Sequence, residues 1–185
     1  MKKLSLIFIF FSFIVIIKTS GQSYAKSTRL GGGISFATGF DYHDIHTGNR
    51  GIRIIGIRNF NESFHLSAAV TFFLPEKEDF YDGTRSSTLW MVDMEGQYFL
   101  YSRDEFLLYV LGGLSTTGLI SNYKGESSDL YLDYSDQGIG LNLGAGANLS
   151  FNKSVVFFAE MKYVAGKYNQ LIVTVGIIMN IDWFN

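Results

Sequence analysis

Apolar side chains occupy every second position near the end of the chain: Leu171, Val173, Val175, Ile177, Met179, Ile181 and Trp183. Between them lie Ile172, Thr174, Gly176, Ile178, Asn180, Asp182 and Phe184. A period of two predicts a strand whose side chains alternate between faces. One face is wholly apolar and the other carries Thr, Gly, Asn and Asp, so two environments touch the same strand.

The alternation recurs upstream. Residues 28–40 put Leu30, Gly32, Ile34 and Phe36 on one parity and Gly31, Gly33, Ser35 and Ala37 on the other. Residues 51–60, 64–74, 88–101, 105–119, 137–150 and 155–166 predict further strands. In 51–60, Arg53 and Arg58 have opposite parity, so a bulge or an early strand end has to place one of them away from the apolar side. Residues 105–119 are apolar on both parities around Gly112 and Gly113, leaving their register open. Short turns fall at 61–63, 102–104 and 151–154, with 167–169 before the last strand. The polar stretches 41–50, 75–87 and 120–136 read as long loops, the second opened by Pro75, which ends its strand.

About eight strands with polar residues on one parity and apolar residues on the other fit a lumen inside and lipid outside. The fold expected is all-β: a single antiparallel up-and-down transmembrane barrel. Closure matters because an open sheet edge in hydrocarbon would leave backbone groups unpaired at several kcal/mol each. With about eight strands the interior is only wide enough to be filled by side chains.

Composition sharpens this picture. The chain holds 17 Phe, 11 Tyr and 20 Gly against a single Pro, a mixture that favours strands and tight turns over helices. The net charge of −2 points to neither nucleic acid nor an anionic surface as a partner. Cysteine is absent, which removes disulfides, thiolate metal sites and Cys nucleophiles. At the start, Lys2 and Lys3 precede an apolar run from Leu4 to Ile17, followed by Lys18 and small residues. That run is short of the roughly 20 residues a membrane-spanning helix needs, and it predicts a cleaved signal peptide at 1–21 ahead of a barrel domain at 22–185, with cleavage after Ala25 as the alternative.

Over residues 22–185 the pattern resembles the small outer-membrane β-barrel proteins of Gram-negative bacteria, the class that includes OmpX-like and PorT-like barrels. Within that resemblance Thr174, Gly176, Met179 and Ile181 look like the signal read by the barrel-assembly machinery, with Trp183 and Phe184 just before the terminal Asn185. The resemblance implies an outer-membrane address, lipid around the barrel and no catalytic motif or cofactor.

Candidate chemistry lies on the inward parity. Arg53, His65, Asp93, Glu95, Glu160 and Lys162 are expected to form a polar network in the lumen, because buried charges have to be paired and hydrogen-bonded. The same carboxylates could instead mark an ion or proton path. His43, Asp44 and His46 in the first long loop have metal-ligand chemistry but no metal-site spacing, and the acids at Glu76, Glu78, Asp79, Asp82, Glu126, Asp129, Asp133 and Asp136 lack a cation-binding loop pattern. No metal is assigned. Ser67, His65 and Glu95 are the one loose approach to a nucleophilic set, without the Gly-x-Ser-x-Gly elbow. Tyr123, Tyr131 and Tyr134 favour either a protein contact or the headgroup level of the membrane.

The functional expectation is a non-enzymatic barrel acting as a structural or surface-interaction protein through its outer loops. Two alternatives are a barrel enzyme acting on lipid or peptide at the outer rim, and a soluble periplasmic lipocalin-like barrel holding a small ligand.

Overall fold

The computed structural model describes residues 28–39, 50–80, 83–103, 105–125, 131–152 and 154–181. Nine strands follow one another: β1 (Thr28–Ala37), β2 (Arg50–Asn59), β3 (Phe64–Phe73), β4 (Glu76–Phe80), β5 (Gly83–Arg103), β6 (Phe106–Gly125), β7 (Tyr131–Ser150), β8 (Val155–Gly166) and β9 (Gln170–Ile181). Consecutive strands pair antiparallel except β3 and β4; β4 pairs with β5 alone, β3 also pairs with β5, and β1 pairs with β9. The result is a closed barrel of eight strands, with β4 lying outside the closed ring.

The alternation seen in the sequence is the alternation of burial. On β9, Ile172, Thr174 and Ile178 are buried, while Leu171, Val173, Val175, Ile177 and Met179 are exposed. An apolar band that faces out from a closed barrel has its low-energy place in hydrocarbon.

Arg53 and Arg58 are resolved by position. The β2 register runs unbroken against both β1 and β3, so no bulge separates the two arginines. Arg53 points into the lumen, and Arg58 faces outward one residue before the end of β2. The irregularity lies instead between Phe99 and Tyr101 of β5, opposite the stretch of β6 whose register the pattern left open.

Two of the expected loops are largely strand. Residues 76–80 pair as β4 with 83–87 at the start of β5, while 120–125 belong to β6 and 131–136 to β7. Phe72 pairs with Trp90 but Glu76 pairs with Ser87, so the ladder slips by one residue across Leu74 and Pro75. Pro75 lacks the N–H that an unbroken ladder would use, and the chain resumes pairing beyond it. Polar side chains on both faces hid these extensions, since a strand standing above the membrane has water on each side. The loop at 41–50 falls almost wholly outside the described residues, as do His43, Asp44 and His46.

At 20 or 21 residues, β5, β6 and β7 are about twice the roughly 9–11 residues a tilted strand needs to cross a bilayer. β7 gains its β8 partner only from Gly140. The segment of β7 before it, with the facing ends of β6, β5 and β4, makes a sheet that projects past the barrel rim.

At the opposite end two connections share one construction. Asn61 Oδ1 accepts hydrogen bonds from the backbone N–H of Ser63 (2.9 Å) and Phe64 (2.7 Å). Asn152 Oδ1 does the same for Ser154 (2.8 Å) and Val155 (2.8 Å). Both follow the sequence Phe-Asn-x-Ser, in which the Asn side chain substitutes for a backbone turn carbonyl. Short turns mark the periplasmic end of such barrels, which places the projecting sheet outside the cell.

A filled lumen as the candidate functional site

The lumen holds a charge cluster at mid-depth. Arg53 is completely buried; its Nη1 donates to Asp93 Oδ2 at 2.8 Å and its Nη2 to Glu95 Oε2 at 3.0 Å. Nη2 also lies 3.4 Å from Glu160 Oε1. Lys162 Nζ donates to Asp93 Oδ2 and to Glu95 Oε1, both at 2.7 Å. Asn142 Nδ2 bridges the same two carboxylates at 3.0 and 2.8 Å. Tyr109 Oη donates to Glu160 Oε2 at 3.1 Å.

Small residues make these reaches possible. β3 separates Arg53 from β5, and the β3 positions between them are Ala69 and Thr71. On the other side Gly113 and Ser115 of β6 face Glu95 and Asp93, and Gly144 of β7 lies opposite Lys162. At Gly144 a β-carbon would stand 2.8 Å from the Lys162 Cα and 2.3 Å from the Met161 carbonyl oxygen. The missing side chain there lets two cations and three carboxylates share one buried layer, where charge-assisted bonds offset part of their desolvation.

The structure thus brings together five of the six residues singled out from the sequence. His65 is inward too, but it belongs elsewhere. Arg29 Nη2 donates to His65 Nδ1 at 2.8 Å and to Asn59 Oδ1 at 2.9 Å. An Nδ1 that accepts from arginine leaves the ring proton on Nε2 and the imidazole neutral. The His65 ring lies 4.4 Å from Phe99, and Phe99 lies 5.4 Å from Tyr109. The loose Ser67, His65 and Glu95 set does not form, since Ser67 Oγ donates to the backbone carbonyl of Glu95 at 3.3 Å. Among the described residues no group of three or more His, Asp or Glu side chains is placed to hold a metal ion.

Three participants escaped the sequence reading. Arg29 shares the inward parity of Gly31 and Gly33, a signal at the very start of β1. Tyr109 sits where β6 is apolar on both parities, so its direction could not be read. Asn142 is one of the Asn and Gly residues on the inward side of β7, without a pattern that marks it as a bridge.

Toward the outside the cluster is covered by an apolar layer of Ala37, Phe73, Leu89, Met91, Leu119, Val164, Tyr168 and Ile172, all buried. The lumen is therefore less uniformly polar than the alternation of β9 alone implies. Tyr168 comes from the short 167–169 connection, yet it is only 2 % exposed. Its Oη donates to Asp136 Oδ2 at 2.5 Å, and Lys167 Nζ lies 2.5 Å from the same oxygen. Asp136 stands on the projecting part of β7, and these donors, Lys167 foremost and then Tyr168, hold its carboxyl well below the usual carboxylate range.

The assembly-signal positions fall as follows. Thr174 points inward, its Oγ1 2.8 Å from Ser35 Oγ across the β1–β9 seam. Gly176 pairs with Gly33, and Met179 faces outward. Ile181 ends β9 opposite Thr28. Residues 1–27 and 182–185, and with them the signal-peptide stretch, Trp183 and Phe184, lie outside the described residues.

A closed eight-stranded barrel with an apolar exterior and a lumen packed with paired charges defines a small transmembrane barrel. The family model for the outer membrane protein beta-barrel domain matches residues 10–177, and the chain belongs to that family. Its place is the outer membrane. Ail, the attachment invasion locus protein of Yersinia pestis, superposes with a TM-score of 0.62 at 13% identity, over 85% of this chain and 100% of Ail. A major outer membrane protein from Thermus thermophilus gives 0.63 at 10% identity, over 85% and 100%. OprG from Pseudomonas aeruginosa gives 0.61 at 12% identity, over 85% and 96%. At these identities the likeness is one of fold. No match was found among curated protein sequences.

Proposed function

We propose that this protein is a non-enzymatic outer-membrane barrel whose filled lumen serves stability and whose projecting sheet serves contact with other surfaces. The observation that carries the reading is the division of the long strands. Their inner halves close around charge pairs and an apolar layer, so that side chains fill the lumen at those levels, while their outer halves stand free of the ring. A network of Arg53, Asp93, Glu95, Glu160 and Lys162 is an economical filler, because every member is held by at least one other. The partner of the projecting sheet is a protein or a surface polysaccharide. Ail has been crystallised with the heparin analogue sucrose octasulfate, which makes a sulfated polysaccharide one ligand to test here.

Export through a signal peptide at 1–21 and recognition of the β9 positions Thr174, Gly176, Met179 and Ile181 by the barrel-assembly machinery complete the proposal. The experiment replaces residues 121–134 by a short Gly-Ser turn in cells expressing the full chain. Outer-membrane fractionation and heat-modifiable migration on a denaturing gel should be unchanged, while binding of the cells to heparin or to immobilised protein surfaces should fall. Unchanged surface binding with an intact barrel would overturn the contact role. Recovery of the parent chain in the soluble periplasm would overturn the membrane reading itself.

A further inference from the structure

Apolar side chains pack on both sides of the charge cluster: the layer that contains Tyr168 toward the outside, and Ile55, Ile57, Ala69, Val156, Phe158 and Ile178 toward the short turns. Past this second group, at the side of the short turns, lies an open cavity of about 480 Å³. Arg29, Asn59, Glu105, Ser150, Asn152, Val156 and Asn180 line this cavity. Each lies at or next to the periplasmic end of its strand.

Arg29 is the unusual member. It is only 7 % exposed, yet no carboxylate forms an ion pair with it among the described residues. Its Nη2 is committed to Asn59 and His65, both neutral acceptors, and its buried Nε–H has no acceptor among the described residues. Arg53, the other buried arginine, shows the contrast, with three carboxylates around its guanidinium. A buried cation without a counter-charge is costly, and a guanidinium is the side chain best shaped for a planar or tetrahedral oxyanion. Asn152 also lines the cavity; its Oδ1 is used within the turn, and its amide N–H groups are the part of the side chain that can donate. Glu105 lines the same space without pairing with Arg29, so the cavity is not uniformly cationic.

We propose that the periplasmic mouth of the barrel is a binding site for a small soluble oxyanion of the phosphate class, with Arg29 as its principal donor. The ligand enters from the periplasm, because the apolar layer closes the other end. The site is separate from the projecting sheet and depends on that reading only for which end faces the periplasm.

The test is an NMR titration of the full-length barrel, refolded in zwitterionic detergent, with inorganic phosphate against a chloride series of equal ionic strength. The Arg29 Nε–H resonance, assigned by its loss in Arg29→Lys, should shift saturably with phosphate and not with chloride. Asn59→Asp supplies a carboxylate beside Arg29 and should weaken phosphate binding at least tenfold while heat-modifiable migration shows an intact barrel. A resonance that does not move, moves equally with chloride, or moves unchanged in Asn59→Asp overturns the site. A shift produced in nanodiscs by phosphatidylglycerol without phosphate would assign the anion to a lipid headgroup and overturn the soluble-ligand reading.

Discussion

Gly138 stands where a β-carbon would come within 2.7 Å of the Lys167 Cβ and 3.2 Å of the Tyr168 ring. The absence of a side chain at one position on β7 is thus what admits an aromatic ring from the neighbouring connection into the mouth of the barrel. Gly138→Leu should expel that ring or strain the rim, at about 1–3 kcal/mol for overpacking. Tyr168→Ala, which empties the same layer, should cost about 3–5 kcal/mol. Urea unfolding of the refolded protein in lipid vesicles measures both. A Gly138→Leu protein as stable as the parent would show that Tyr168 is not held where the structure puts it.

The lipid face admits a sharper contrast. Val175 is exposed in the middle of β9, between Ile34 and Ala159 of the flanking strands. Val175→Arg should cost about 2–4 kcal/mol if that level is the bilayer midplane. Asn180→Ser, at the wet inner mouth, should be tolerated. Equal tolerance of the two would contradict the assignment of faces.

Within the lumen, Arg53→Met leaves Asp93, Glu95 and Glu160 with Lys162 as their remaining cation in the cluster. Breaking a buried pair from one side costs about 3–5 kcal/mol, because the partner charge stays behind uncompensated. Loss of less than about 1 kcal/mol in the same unfolding assay would mean that water reaches the cluster in solution.

The tie between Asp136 and its donors carries a pH dependence. Lys167 and then Tyr168, with Gln137 N–H and Tyr134 Oη, lower the folded carboxyl from an unfolded value of about 3.9. A lowered folded value means stability that is present above the unfolded pKa and is lost as pH falls through the folded one. The difference in urea midpoint between the parent and Asp136→Asn should therefore be constant above about pH 5 and shrink as the pH falls below about 4. A difference that grows on acidification would reverse the sign of the argument.

The eight-stranded ring was readable from residue parity, because lipid and lumen impose opposite chemistry on alternate positions of every spanning strand. The parities of Ile34 and Ser35, of Val92 and Asp93, and of Met161 and Lys162 all carried through to burial. Above the membrane that contrast vanishes, so residues 76–87 and 120–136 read as loops although they are mostly paired. Tyr168 was invisible for a different reason. Its direction is decided by contact with Gly138 and Asp136, far upstream in the chain, and no local pattern encodes that. The choice between Arg53 and Arg58 likewise depended on where β2 ends relative to its partners, a property of the sheet and not of the strand.

The seal of this barrel ends at Asp136 and Tyr168, below the tip of the projecting sheet. Everything beyond it can change in length and composition without breaching the permeability barrier of the cell. The paired strands above the seal can therefore be rewritten without opening the barrel, whereas a change in the ring, the charge cluster or the apolar layer acts on the seal itself.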